Sequence, residues 1–321
     1  MNEPSRPAER VGLDDIVLPY AVEPLSTRGR VARLGSALDA LLKRHAYPEP
    51  VAKLVGEAVT LAVLLGSTLK IEGRFQLQTK TDGAVHMIIV DFDSPANIRA
   101  LARYDDAKLA RDASLSSSAL LGVGHLAFTI DPGGEMSRYQ GVIALEGQGF
   151  EAAAHSYFDR SEQIPTLVRL AVGQSLTPYG GQWRAGGLLA QFLPLSEQAK
   201  RKPDLDPGDA PEGAACDIVE EDDAWIEAKG HAATTEDHEL LDPTLSSERL
   251  LFRLFNERGV RVFEPLTLND VCRCSSEGID AMLQSFPREE RLAMVGDDGM
   301  IGVTCEFCSV KRVFDPKDYE R

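Results

Sequence analysis

In "RVARLGSALDALLKRH", apolar residues recur at Val31, Leu34, Leu38, Leu41 and Leu42, a helical spacing that predicts one helix over 30–45. Pro48 and Pro50 interrupt it. From Val51 to Leu69 a second helix is predicted. Its apolar positions (Val51, Leu54, Val55, Ala58, Leu61, Leu64, Leu65) lie around most of the barrel, so it is expected to be buried on more than one side. The period then changes. "RFQLQTKT" alternates Phe75, Leu77 and Thr79 with polar neighbours, "AVHMIIVDF" is rich in β-formers, and the Asp-Gly of "TDGA" between them predicts a hairpin. A second hairpin is expected from "GHLAFTID" and "RYQGVIALEG" on either side of "PGGEMS". Further on, "FEAAAHSYFDRSEQ" reads as helical, "IPTLVRLAVGQSL" as extended, and "RAGGLLAQFLP" as a strand ending at Pro194.

The pattern breaks again after Ser196. "KRKPDLDPGDAPEGAA" is rich in Pro, Gly and Asp and carries no periodicity. In "DIVEEDDAWIEAK", Ile218 with Trp225 and Val219 with Ile226 are seven apart and share a helix face. Asp222 and Asp223 fall near that stripe, which predicts a helix too weak to stand without a docking surface. "SSERLLFRLFNERG" follows, with Ser246 as N-cap, the pairs Leu250/Leu254 and Leu251/Phe255, and Gly259 as the stop. "SSEGIDAMLQSF" and "PREERLAMVG" predict two short helices, and "DDGMIGVTCEFCSVKRVFD" a hairpin with two cysteines at its bend.

Composition narrows the function classes. Of 321 residues, 43% are hydrophobic, enough for a real core, and the net charge of −16 is the wrong sign for a nucleic-acid surface. Thirteen acidic against three basic residues between Arg201 and Leu240 carry most of that excess. The start, "MNEPSRPAERVGLDDIVLPY", has no apolar targeting core, and "AVTLAVLLGSTL" is shorter than the about 20 residues a bilayer span needs. A soluble cytoplasmic chain without membrane partners is expected, and its thiols should stay reduced. The glycine pairs Gly133-Gly134, Gly180-Gly181 and Gly186-Gly187 read as turns, since no phosphate-loop pattern accompanies them. His155 and Ser156 lack a nucleophile elbow, and His155 reads as a surface or core histidine.

The chemistry lies in the cysteines. Cys272-x-Cys274, thirty residues, then Cys305-x-x-Cys308 offers four thiolates from two local clips. Tetrahedral Zn²⁺ takes four thiolates, leaving no open position for a catalytic water. The roughly 50 residues after Leu268 make a marginal core, for which bound zinc would supply on the order of 10–16 kcal/mol. Arg273, Lys311 and Arg312 are placed to offset the charge of such a site. Spacing leaves open a structural zinc site, a redox role and a chance grouping. The redox reading draws support from the C-x-C pair, since oxidised ligands release the ion and a strained C-x-C disulfide is easily reduced again. Cys216, alone in the acidic segment, reads as a bystander.

The chain resembles the heat shock protein 33 family, redox-regulated holdase chaperones, through these cysteines and through "RHAYPEPVAKLVGEAVTLAVLLGSTLKIEGRFQLQTKTDGAV", "GHLAFTID", "YQGVIALEG", "YFDRSEQIPT", "AGGLLAQFLP" and "ELLDPTLSSERLLFRLFNERGVRVFEP". It departs in its N-terminal extension and in an acidic insertion at about 201–223. The resemblance implies an α+β fold: a chaperone core (1–197) with a β-sheet and packed helices, a metastable helical linker (198–265) and a small zinc-binding switch domain (266–321). It implies Cys272, Cys274, Cys305 and Cys308 as ligands of one Zn²⁺ per chain in the reduced, inactive state. Oxidation would form Cys272–Cys274 and Cys305–Cys308 disulfides, release zinc and unfold the linker. The protein would then dimerise and hold unfolding client proteins without ATP, and it would be no enzyme. Two rivals stand beside this. A thiol–disulfide oxidoreductase would normally place C-x-x-C at a helix start in a βαβ unit. A zinc-ribbon nucleic-acid binder is opposed by 11 acidic against seven basic residues from Leu266 onward.

Overall fold

A computed structural model describes residues 14–69, 73–111, 116–134, 136–177, 180–193 and 222–319. The fold is mixed α+β, with two six-stranded sheets and a separate two-stranded hairpin. The first sheet is built on β1 (Ile16–Val22), β2 (Thr27–Leu34), β8 (Thr166–Thr177) and β9 (Gly180–Phe192), in the order β1-β2-β9-β8. The second orders β3 (Arg74–Thr81), β4 (Val85–Asp93), β5 (Asn97–Tyr104), β6 (Val123–Asp131) and β7 (Tyr139–Glu146) as β5-β4-β3-β6-β7. Both predicted hairpins are present, as the antiparallel pairs β3–β4 and β6–β7.

Helix α1 (Ser36–His45) is followed by α2 (Glu49–Gly66), which packs against strands of both sheets. Leu54, Val55, Ala58, Leu61, Ala62 and Leu65 are all buried, as an all-round apolar helix must be. Short turns α3 (Asp106–Leu109) and α4 (Ser117–Leu121) and helix α5 (Phe150–Tyr157) complete this part. His155 is half-buried: its Nε2 accepts the Val168 N–H at 2.8 Å, and burial holds its pKa below the usual range.

The single helix expected over 30–45 is instead strand β2 and helix α1, broken at Gly35. The break is made by a distant residue: Asp15 accepts the N–H groups of Gly35 and Ala37 and the Ser36 hydroxyl, capping α1 from the start of β1. β1 and β5 are further elements that the pattern reading left unassigned. In β1 both parities are apolar, because both faces of the sheet are covered. Val17, Ala32 and Leu189 belong to the core around α2, whereas their neighbours Leu18, Val31, Leu188 and Ala190 face a second apolar cluster.

That second cluster is roofed by α6 (Asp223–Ala233), α7 (Asp237–Leu241) and α8 (Ser247–Phe255). Trp225 is 2% exposed, its ring 6.2 Å from Phe192, and Phe255 stacks on Tyr20. The expected seven-residue stripe is only partly realised. Ile226 is half exposed, and Ile218, Val219 and Cys216 lie outside the described residues. Asp222 and Asp223 do not weaken the helix: Asp222 caps it by accepting the Ala224 N–H, and Asp223 sits in the first turn, where the helix dipole favours an anion. The Ser246 cap of α8 is present as predicted.

Buried polar groups fasten the roof. Arg33, 1% exposed, donates to the carbonyls of Glu239, Leu240 and Asp242 at the end of α7, and Arg184 donates to that of Leu241 while paired with Asp14. The Gly186-Gly187 pair is not a turn but the middle of β9. A Cβ on Gly186 would come within 2.3 Å of the Leu240 carbonyl oxygen, and one on Gly187 within 2.7 Å of Thr60 in α2. Each glycine admits backbone or helix on its own side of the sheet. Gly186→Ala is therefore expected to weaken docking of the roof by about 1–3 kcal/mol, an overpacking cost. Amide exchange in α6–α8 should speed up with β8 unaffected, and equal protection in the variant would refute this.

The chain then returns to both sheets. β10 (Arg261–Val262) and β11 (Leu266–Thr267) pair with β1, and β12 (Asn269–Asp270) runs parallel to β5. Pro19, which cannot donate to a ladder, lies opposite the gap between β10 and β11. The remainder is α9 (Ser276–Ser285), α10 (Arg288–Ala293) and the hairpin β13 (Ile301–Thr304) and β14 (Lys311–Phe314). Its buried centre is small: Leu283, Ile301 and Tyr319, with Ile279, Val295, Val303 and Phe314 partly covered.

Candidate metal centre

Cys272 and Cys274 leave the end of β12, and Cys305 to Cys308 form the bend between β13 and β14. The bend closes through Cys305 N–H to Val310 O and Ser309 N–H to Cys305 O, with Ser309 in the left-handed region at φ 56°. The four sulfurs lie within 4.8 Å of one another, with Cys272–Cys305 at 3.8 Å and Cys274–Cys308 at 3.3 Å. Four sulfurs about 2.3 Å from a tetrahedral Zn²⁺ stand roughly 3.8 Å apart, whereas a disulfide brings its sulfurs to about 2.05 Å. The donor set and its spacing are therefore compatible with a tetrahedral thiolate metal site.

Electrostatics point the same way. Burial raises the Cys272 pKa and pushes Cys308 up to about 12. At Cys305 burial acts upward, but the N–H groups of Cys308 and Phe307 together with hydrogen bonds from the Cys308 and Cys274 side chains outweigh it and bring that thiol to about 7. A cluster this tight holds few negative charges by itself; a divalent cation would let all four ionise together.

The surrounding cations come from both ends of the chain. Arg312 donates from Nη1 to the Cys274 sulfur at 3.3 Å and from Nη2 to the Cys274 carbonyl, as its position suggested. Arg273 pairs with Asp91 and Asp93 instead, at 3.5 and 3.6 Å. Arg99 of β5 was missed in the sequence. Its Nη1 lies 3.9 Å from the Cys272 sulfur, its Nε and Nη2 are held by Asp91, and the Phe307 ring covers its guanidinium at 4.0 Å. Three more contacts seat the cysteine loops on the core: His45 Nε2 to the Phe307 carbonyl at 3.0 Å, Arg103 to Glu306 at 2.7 Å, and Arg44 to Asp270. No local signal marked Arg99 or Asp91, which meet the cysteine loops from more than 170 residues away.

The fold is a two-sheet α+β core with an apolar sheet face roofed by helices, and beyond them the C-terminal segment carries a four-thiol cluster that could hold a metal ion. Comparison with known proteins places it further. The profile of the family described as "Hsp33 protein" matches residues 15–315, and the chain belongs to this chaperone family. A "33 kDa chaperonin" of Caulobacter vibrioides is 44% identical over 308 residues, covering 95% of this chain and 96% of that protein. The "33 kDa chaperonin" of Aliivibrio salmonicida is 31% identical, covering 93% and 92%. A crystal structure of the 33 kDa chaperonin from Thermotoga maritima shares the fold with a TM-score of 0.73, at 18% identity over 95% of this chain and 97% of that one. Among the described residues no helix is long and apolar enough to cross a membrane.

Proposed function

We propose that this chain is a redox-regulated, ATP-independent holdase that is inactive while reduced and zinc-bound. The observation that carries the reading is the roof: α6, α7 and α8 bury an apolar sheet face, and the segment that follows them leads straight to the four-thiol cluster. An apolar face covered by a removable segment is what a switchable binder of unfolded chains requires. The working parts are a chaperone core (1–197), a linker (198–265) and a switch domain (266–321). Cys272, Cys274, Cys305 and Cys308 hold one zinc ion, and the protein acts in the cytoplasm with no catalytic residue.

In the activating step two peroxide molecules per chain each accept two electrons from a pair of thiolates and become hydroxide. Two disulfides form, so the four sulfurs could no longer hold a zinc ion, and the small C-terminal core would be left without that staple. The linker then releases the sheet face, which takes up unfolding clients and supports a homodimer. The family resemblance assigns the pairs as Cys272–Cys274 and Cys305–Cys308, whereas Cys272–Cys305 and Cys274–Cys308 also lie in contact, at 3.8 and 3.3 Å, in the reduced arrangement.

The test adds peroxide at mildly raised temperature, follows zinc with a metallochromic dye, and measures aggregation of a heat-labile client in the same samples. One zinc per chain should leave as client holding appears, with reductant reversing both. Zinc that leaves with no gain in holding would refute the switch. Peptide mapping of the oxidised protein decides between the two sulfur pairings.

A further inference from the structure

Arg99 is a core residue with an unusual set of neighbours. It is 9% exposed and belongs to β5, yet it meets both cysteine clips at once: the Cys272 sulfur from C-x-C, and the face of Phe307 from inside C-x-x-C. Beneath it, Asp91 is fully buried and accepts from its Nε and Nη2 at 2.8 and 2.5 Å, while Gln76 donates to the other carboxylate oxygen. The guanidinium is thus fixed in place before the cysteine loops arrive. A metal with four thiolates carries a net charge of −2, and a fixed donor at its edge stabilises that anion more than it stabilises the neutral thiols.

We infer that Arg99 is a positioning residue through which the chaperone core strengthens metal retention at the four-thiol site, and through which loss of the metal undocks the cysteine loops from the core. This rests on the zinc reading of the cluster. Arg99 meets Cys272 and Phe307 together only when both clips are folded around one point. Metal binding and docking therefore favour each other, and the coupling is reciprocal. Arg312 also links the two clips, reaching Cys274 from the β13–β14 hairpin, but it belongs to the C-terminal segment itself and so does not tie the site to the core.

The experiment uses full-length reduced protein and measures the rate at which a chelating dye extracts zinc, with amide exchange at 269–274 as a second readout. Arg99→Met alone leaves the buried Asp91 carboxylate with only Gln76 and the more distant Arg273, at 3.5 Å, so it is paired with Asp91→Asn; Phe307→Ala removes only the ring over the guanidinium. Zinc should leave the Asp91→Asn/Arg99→Met protein on the order of ten times faster, the range in which lost outer-sphere partners of metal ligands act. Phe307→Ala should fall between it and wild type. Arg99→Lys, which keeps the charge without the fork, should also be intermediate. In wild type, zinc removal should speed exchange at 269–274, and in the double variant that region should already exchange fast with zinc bound. A merely structural Arg99 would change the thermal midpoint but not these rates. Equal extraction rates in wild type and the folded variants would overturn the inference. Wild-type protein that binds no zinc would instead overturn the reading on which it rests, so the two failures are distinguishable.

Discussion

Chelating zinc from the reduced protein is expected to unfold α9, α10 and the β13–β14 hairpin while the two sheets persist. The reason is the size of the C-terminal core. Three buried side chains and four half-covered ones cannot hold roughly 45 ordered residues against a backbone entropy of about 1–2 kcal/mol each. A thiolate-bound zinc contributes on the order of 10–16 kcal/mol at neutral pH, the largest single term available to this part of the chain. The sheets have their own core around α2 and should be indifferent. Amide exchange would show protection lost across 276–319 and kept in β8, β9 and α2. Protection of α9 and β13 that survives in verified metal-free protein would sink the idea. Acid should act in the same direction as the chelator. The ligands must be thiolates, and as pH falls protons compete with zinc for the four sulfurs, so retention is lost on the acid side.

The second large effect is expected from Trp225→Asp. Trp225 is the largest fully covered side chain of the roof, packed on Phe192. Truncating a buried Trp costs about 3–5 kcal/mol, and the new carboxylate adds the cost of placing a charge at a buried position. Helices of the length of α6 and α7 are not stable by themselves in water, so a loss of that size should undock them. The variant should keep its zinc and its two sheets, bind unfolding clients while reduced, and show fast exchange in α6–α8. A reduced variant whose client holding matches wild type, with α6 still protected, would show that this face is not the one that works.

The predicted elements that held were those whose cause is local. The hairpins β3–β4 and β6–β7 follow from alternation and turn residues, and α2 from an unbroken apolar run, so no distant partner had to be known. The division of 30–45 into β2 and α1 was not legible, because the cap that ends one and starts the other is Asp15, which meets Gly35 only after β1 has paired with β2. Asp222 and Asp223 were misjudged for a related reason. Their charge suggested a spoiled stripe, whereas the helix begins beside them and uses them as its cap and first turn.

By itself the sequence determined the hairpins β3–β4 and β6–β7, the all-round apolar α2, a weak helix that needs a surface, and four sulfurs in two clips whose short spacing lets each pair converge on one point. These are matters of composition and near-neighbour geometry. Only the tertiary structure decided which face the helices roof, that Gly186 admits them while Gly187 admits α2, and that Arg33 and Arg184 fasten them by backbone carbonyls. It also decided that the sulfur cluster rests on Arg99 and Asp91. Such pairings join residues far apart in the chain, and burial, which makes each of them strong, exists only once the layers have closed.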